Sequence, residues 1–315
     1  MLKILVCGAG GFMGRNIYEQ LTSYNKYTVS GTFYNHVVPG ALLYFTDLTR
    51  TDNIENIIKF VKPDIIIQAA ATTSGVKDIL ERPYIHVTDN AVMNSLLLRA
   101  CYENSVKHFI FLSCGVMYQP GNDPRRETDY RECDDIFPAY FGVGWTKVYI
   151  EKMCEFYSRL GRTKHTIIRH SNTYGPYDKY GKEESHMFAS LIDKAMKAKD
   201  LEIIEVWGNG TETARDLIHV YDVCDFIKTV IDKQEDAYKL YNVGMGEAYT
   251  VTEVVEEIVK QSGKSLAIHY NTDKPVIPTK LALNCSRAKK ELGWEPKISL
   301  KEGIKKTINW YKGAF

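Results

Sequence analysis

The 315-residue chain has no long apolar run, no excess of charge of either sign and no closely paired cysteines. Its most apolar stretches, such as DIIIQAAA (64–71), fall well short of the roughly 20 residues that cross a bilayer. A net charge of +1, with acids and bases mixed along the chain, excludes a nucleic-acid footprint or a basic membrane-binding patch. Seven cysteines stand singly at 7, 101, 114, 133, 154, 224 and 285. Without a C-x-x-C pair they supply neither a zinc site nor a disulfide frame, and they read as reduced thiols of a cytoplasmic protein. The N-terminus enters a strand and a glycine turn at once, so no signal peptide is expected ahead of the fold. No internal repeat, low-complexity tract or flexible linker interrupts the chain. A cytoplasmic protein with no metal, nucleic-acid or membrane partner is the expectation.

What is present is an alternation of short apolar runs with longer helical patterns. KILVCG (3–8), YTVSGTF (27–33), DIIIQAA (64–70) and HFIFLS (108–113) read as strands. RNIYEQLTSYN (15–25), NIENIIKFV (53–61) and NAVMNSLLLRACYEN (90–104) read as the helices between them. Such alternation predicts an α/β fold, a Rossmann-type doubly wound parallel sheet with right-handed crossovers. Beyond residue 170 the rhythm loosens into a smaller C-terminal α/β lobe. SHMFASLIDKAMKAK (185–199) reads as a helix, and 203–223 as strand, turn and strand. Two amphipathic helices, 251–263 and 300–313, both end in glycine. The expected division is 1–170 plus about 213–243 for a dinucleotide-binding domain, and 171–212 plus 244–315 for a substrate lobe.

GAGGFMG (8–14) places Gly8, Gly11 and Gly14 directly between the first strand and the first helix, with Phe12, Met13 and Arg15 continuing it. A tight turn there leaves room for a pyrophosphate over the helix N-terminus, where free N–H groups and the dipole favour anions. The second strand ends in GTFYNH (31–36) without the acid that would hold the ribose of NAD. That absence permits a 2′-phosphate, with Arg15 and His36 as its candidate ligands. NADP(H) is therefore favoured, with NAD(H) as the alternative.

These glycines, together with Asp47-Leu48 after the next strand, Ala69-Ala70-Ala71, Lys147, Arg169…Asn172-Thr173-Tyr174-Gly175-Pro176 and Arg215-Asp216…His219-Val220, resemble the extended short-chain dehydrogenase/reductases. That family comprises sugar-nucleotide epimerases, dehydratases and reductases, and the likeness runs from residue 1 to about 312. Segments 172–192, 206–222 and 280–296 are most similar to its GDP-fucose synthase branch, whose members epimerise a GDP-linked keto sugar and reduce it with NADPH. The resemblance implies that Asp47 and Leu48 meet the adenine, and that Ala69, Ala70 and Ala71 line the nicotinamide side. Lys147 would hold the nicotinamide ribose. Asn172, Arg215 and Lys280 would hold the pyrophosphate of a nucleotide sugar, with Trp207 walling the nucleotide pocket. It also implies a homodimer, packed through helices matching 90–104 and 145–160.

The chain departs from the resemblance where the proton is handled. The family places a tyrosine four residues before the lysine, on the same helix face, where the ammonium lowers the phenol's pKa. In YFGVGWTK (140–147) that position is Val143, which exchanges no proton. The helper hydroxyl becomes Cys114, and the epimerase cysteine becomes Val116. The epimerase histidine is matched by His186. Tyr140 is a candidate displaced tyrosine, since Gly142 and Gly144 discourage helix ahead of Lys147 and would leave it in a loop. Two functions stay open: an NAD(P)-dependent reductase, dehydrogenase or epimerase of a nucleotide-linked, GDP-linked sugar in surface-polysaccharide synthesis, with Lys147, Cys114, His186 and Tyr140 as catalytic candidates; and a regulatory or scaffold protein that binds both ligands without turnover.

Overall fold

The computed structural model describes residues 1–73, 75–182 and 185–315. Ser74 lies outside them, as do Glu183 and Glu184 within the 172–192 segment. In the first half, strands β1 (Leu2–Cys7), β2 (Tyr27–Phe33), β3 (Leu43–Phe45), β4 (Ile65–Gln68) and β5 (His108–Cys114) alternate with helices. These are α1 (Phe12–Ser23), α2 (Thr51–Val61), α3 (Val76–Glu81), α4 (Thr88–Glu103) and α5 (Phe141–Arg159). The second half adds β6 (Lys164–His170), β7 (Asn172–Tyr174), α6 (Met187–Lys197), β8 (Ile203–Trp207), β9 (Ala214–Arg215), β10 (Leu217–His219) and α7 (Val220–Lys233). It continues with β11 (Tyr238–Val243), β12 (Tyr249–Thr250), α8 (Val251–Ser262), β13 (Ala267–Asn271), β14 (Lys280–Leu281), α9 (Ser286–Leu292) and α10 (Leu300–Ala314).

Seven strands form one all-parallel sheet in the order β11-β6-β5-β4-β1-β2-β3. Side chains alternate across it. Ile4, Val6, Ile67 and Ile110 pack against Ile17 and Leu21 of α1 and Val223, Phe226 and Ile227 of α7. Leu5, Ile66, Phe109 and Ile167 pack on the opposite face with Ile54 and Ile58 of α2, Leu97 and Leu98 of α4 and Ile150 of α5. A third core lies under α6, α8 and α10, with Phe188, Leu191, Val254, Ile258, Ile304 and Ile308 meeting Ile204 of β8. No helix among the described residues is long and apolar enough to cross a membrane.

Three sequence expectations are corrected. The span 203–223 holds three strands, the last ending at His219, and VYDV (220–223) opens α7 instead of closing a strand. His219 caps that helix by accepting from the Tyr221 N–H (3.2 Å), and apolar residues at 220, 223, 227 and 230 follow at helical spacing. Helix α10 runs through Gly313 to Ala314. Helix α5 begins at Phe141 despite Gly142 and Gly144. Close packing selects the second of these, since a Cβ on Gly144 would lie 2.8 Å from the Ile136 side chain. Tyr140 is therefore not in a long loop; it closes a 3₁₀ turn, Pro138–Tyr140, at the N-cap of α5.

Candidate active site

The carboxyl ends of β1, β4, β5 and β6 open into one cavity of about 1290 Å³, the place where doubly wound sheets bind ligands. That exceeds the roughly 300–1000 Å³ of an ordinary small-molecule pocket. At one end stands the glycine turn. Gly8, Gly11, Phe12 and Met13 line the cavity, while Gly14 lies behind it. A Cβ on Gly14 would come 2.1 Å from the Gly8 carbonyl oxygen, so Gly14 is what allows α1 to approach β1. Gly11 is the N-cap of α1, with no side chain capping the helix and no acid in its first turn. An added Cβ there would meet nothing nearer than 3.5 Å, which leaves the helix N-terminus open to an anion.

Asp47, Leu48, Ala69, Ala70, Ala71 and His36 also line this end. The Thr49 hydroxyl (2.6 Å) and N–H (2.9 Å) donate to Asp47 and hold its carboxyl below the usual range. Arg15 does not line it: its guanidinium bonds Glu19 at 2.9 Å and lies 3.6 Å over the Tyr177 ring. An i,i+4 carboxylate and an aromatic face take the charge that the sequence offers to a phosphate.

Mid-cavity, the Lys147 ammonium donates to the Leu112 carbonyl at 3.0 Å and lies 4.7 Å from the centre of the Phe111 ring. Burial lowers its pKa, against the pull of Cys114 and Glu151. Cys114, Val116, Val143 and Tyr140 also line the cavity. Burial raises the Cys114 thiol, with Lys147 offsetting part of the rise. Beneath them lies a buried ion pair between residues that no sequence pattern joins. Glu151, one helical turn beyond Lys147, bonds Arg169 at 2.6 Å and accepts from the Ser113 hydroxyl at 2.6 Å. Arg169 also donates to the Tyr118 hydroxyl (2.8 Å), which donates on to Asn242 (2.8 Å).

At the far end, Asn172, Trp207 and Arg215 reach the cavity. Arg215 is held by the carbonyls of Ala214 (3.1 Å), Ile277 (2.9 Å) and Thr279. Lys194 and Lys274, which sequence reading missed, lie 6.0 and 5.8 Å from the Trp207 ring centre. Lys280 is corrected: it is exposed and does not line the cavity, because alternation along β14 turns Thr279 and Leu281 inward instead. His186, the N-cap of α6, faces the buried Asp178 carboxylate at 3.4 Å and lines the cavity.

Two further histidines line it unforeseen, His86 and His170. His170 directly follows Arg169 in a motif already singled out, and its place at a strand's carboxyl end was the available signal. His86 carried none, being set by the packing of the segment before α4. Near it, Asn90 exchanges two hydrogen bonds with the Thr72 backbone (3.0 and 2.9 Å), fixing the chain that leaves β4.

With this geometry in place, comparison with known proteins adds chemistry. The sequence profile of the NAD dependent epimerase/dehydratase family matches residues 4–244. The chain is 29% identical over 314 residues to GDP-L-colitose synthase of Yersinia pseudotuberculosis, covering 98% of each. It is 25% identical to GDP-L-fucose synthase of Azorhizobium caulinodans, covering 98% of this chain and 96% of that one. Its structure resembles the UDP-glucose 4-epimerase of Thermotoga maritima with UDP-glucose, at a TM-score of 0.87, 26% identity and 99% coverage of both chains.

Proposed function

The chain belongs to the NAD dependent epimerase/dehydratase family, and on that premise we propose that it is an NAD(P)-dependent oxidoreductase or epimerase acting at a carbon of a GDP-linked sugar. One observation carries this reading: a single cavity joins the open α1 N-terminus, Lys147 and the Trp207–Arg215 wall. Its size suits two ligands side by side. The similarity to GDP-L-colitose and GDP-L-fucose synthases supports the GDP-linked sugar and a place in surface-polysaccharide synthesis. A dinucleotide, when bound, supplies the two-electron chemistry. The chain's own part is to take the pyrophosphate at the α1 N-terminus, the adenine between Asp47 and Leu48, and the ribose at Lys147. NADP(H) remains the favoured form, with His36 as the remaining candidate for its phosphate, and NAD(H) as the alternative. Asn172, Arg215, Trp207 and His186 would hold the sugar nucleotide; Arg and Lys heads suit phosphate. A cytoplasmic homodimer packed through α4 and α5 completes the proposal, and the exposed Tyr149 and Phe156 on α5 favour it.

Substituting Gly11→Val tests the dinucleotide end. A branched side chain over the helix N-terminus removes at least one charge-assisted hydrogen bond, roughly 1.5–3 kcal/mol or about ten- to a hundredfold in Kd. Calorimetric titration with NADPH and NADH should show this loss with little change in melting temperature; unchanged affinity would place the pyrophosphate elsewhere.

Val143 favours a second reading, in which both ligands bind and nothing turns over. Cofactor absorbance with a panel of GDP-, UDP-, CDP- and dTDP-linked sugars and their 4-keto forms separates the two. Turnover by the natural protein is expected, carried by a proton group other than a tyrosine at 143. If the natural protein is silent with ligands bound, while Val143→Tyr gains about a hundredfold over background, the scaffold reading holds.

A further inference from the structure

We infer that His170 is the group that exchanges a proton with the sugar oxygen at the reacting carbon, taking the role that Val143 cannot fill. The inference rests on the reading of the chain as a sugar-nucleotide oxidoreductase or epimerase. His170 ends β6 at the carboxyl edge of the sheet and pairs in register with Cys114 at the end of β5. It lines the same cavity as Val143 and Lys147, and lies within electrostatic reach of Lys147.

The ring's orientation is fixed from one side. Nδ1 lies 2.8 Å from the Ser171 carbonyl oxygen and 3.0 Å from the Thr173 hydroxyl. A carbonyl only accepts, so Nδ1 carries the proton and Nε2 carries the lone pair. Among the described residues Nε2 has no hydrogen-bond partner, and it is not among the sealed-off buried atoms. A nitrogen with a fixed tautomer and a lone pair free beside a ligand cavity is the arrangement a general base requires.

The facing groups set its behaviour. Lys147 from α5 and His186 before α6 act on it electrostatically, and Cys114 stands beside it on β5. Burial pushes the imidazole down to about 4, with the Ser171 carbonyl opposing and Lys147 adding to the fall, so it is neutral throughout the working pH range. In oxidation the sugar O–H bond breaks, its proton passes to Nε2, and the oxygen keeps the electron pair as the carbonyl forms. The C–H electron pair goes to the oxidised dinucleotide, which the proposed activity supplies. In reduction the neutral imidazole first takes a proton from solvent, and the imidazolium so formed passes it to the carbonyl oxygen as the reduced dinucleotide gives its hydride to the carbon. The alternatives are less well prepared: the Cys114 thiol is pushed up by burial, and His186 already faces Asp178.

The test compares His170→Asn with the natural protein. Expected is a loss of about a hundredfold or more in kcat, with Kd for the dinucleotide and for GDP-mannose within about twofold by calorimetry. The natural protein's kcat/KM for oxidation should be flat from pH 6 to 9. A thiol or phenol, ordinarily deprotonating above pH 8, would instead make it climb about tenfold per unit. A variant within about threefold of the natural rate, or a climbing profile, overturns the assignment. If no sugar nucleotide is turned over, the enzyme reading fails separately, and the imidazole ¹⁵N signals of labelled natural protein decide. A shift of the His170 Nε2 signal on adding GDP-mannose supports its contact with the sugar, and an unmoved signal refutes it.

Discussion

Acidification from pH 7 to 5 is expected to cost about 5 kcal/mol of folding stability, enough to bring the protein close to unfolding. Among the buried histidines outside the proposed chemistry, His108, His165 and His219 are held neutral most strongly. Burial is the first cause in each, lowering His108 to about 3 and both His165 and His219 to about 4. Among the described residues, neither ring nitrogen of His165 has a partner that would stabilise the cation. The Nδ1 of His219 must accept to cap α7. In the unfolded chain each histidine binds a proton near pH 6.5, whereas the native state excludes it. Folded values below unfolded ones mean that stability is intact above about pH 6.5 and is lost as pH falls from there towards 4. Urea midpoints at pH 7, 6 and 5 should fall steadily. An unchanged midpoint at pH 5 would show that these rings are open to water.

Replacing Glu151 by alanine should cost roughly 3–5 kcal/mol, the penalty for leaving a buried partner charge uncompensated. In the native protein the Glu151 carboxylate outweighs the burial that opposes the Arg169 charge; without Glu151 burial is unopposed, but a guanidinium does not lose its proton near neutral pH, so the charge is left stranded. The Ser113 hydroxyl would also lose its acceptor. Because α5 carries both Glu151 and Lys147, and β5 and β6 carry Ser113 and Arg169, the pair clamps the elements on which Cys114, Lys147 and His170 stand. Glu151→Met combined with Arg169→Met should recover much of the loss, since two apolar groups restore packing without an orphaned charge. Denaturant titration of the three variants checks both claims. A single substitution costing under about 1 kcal/mol would mean that water reaches Arg169.

The glycine turn at 8–14 and the strand-helix alternation were legible because they are local. A fully buried parallel strand must be apolar throughout, and the opening over a helix N-terminus must be glycine-rich wherever the remainder of the chain goes. The family likeness and the cavity-lining positions of Asp47, Ala69 to Ala71, Lys147, Trp207 and Arg215 were legible for the same reason. Contacts between distant segments were not. Arg15 reads as a phosphate ligand until Tyr177 arrives 3.6 Å away from another part of the chain. Lys280 reads as a clamp until the register of β14 turns it outward. Gly142 and Gly144 read as helix breakers, and only the approach of Val87 and Ile136 makes them the residues that let α5 pack. Glu151 and Arg169 are ordinary charges in a row of letters, and a clamp only once β6 lies beside α5. The sequence by itself determined the sheet, the glycine turn and the absence of a tyrosine at 143. Tertiary structure decided which side chains line the cavity and which of their atoms stay unpartnered, because a free lone pair depends on what every neighbouring element has already taken.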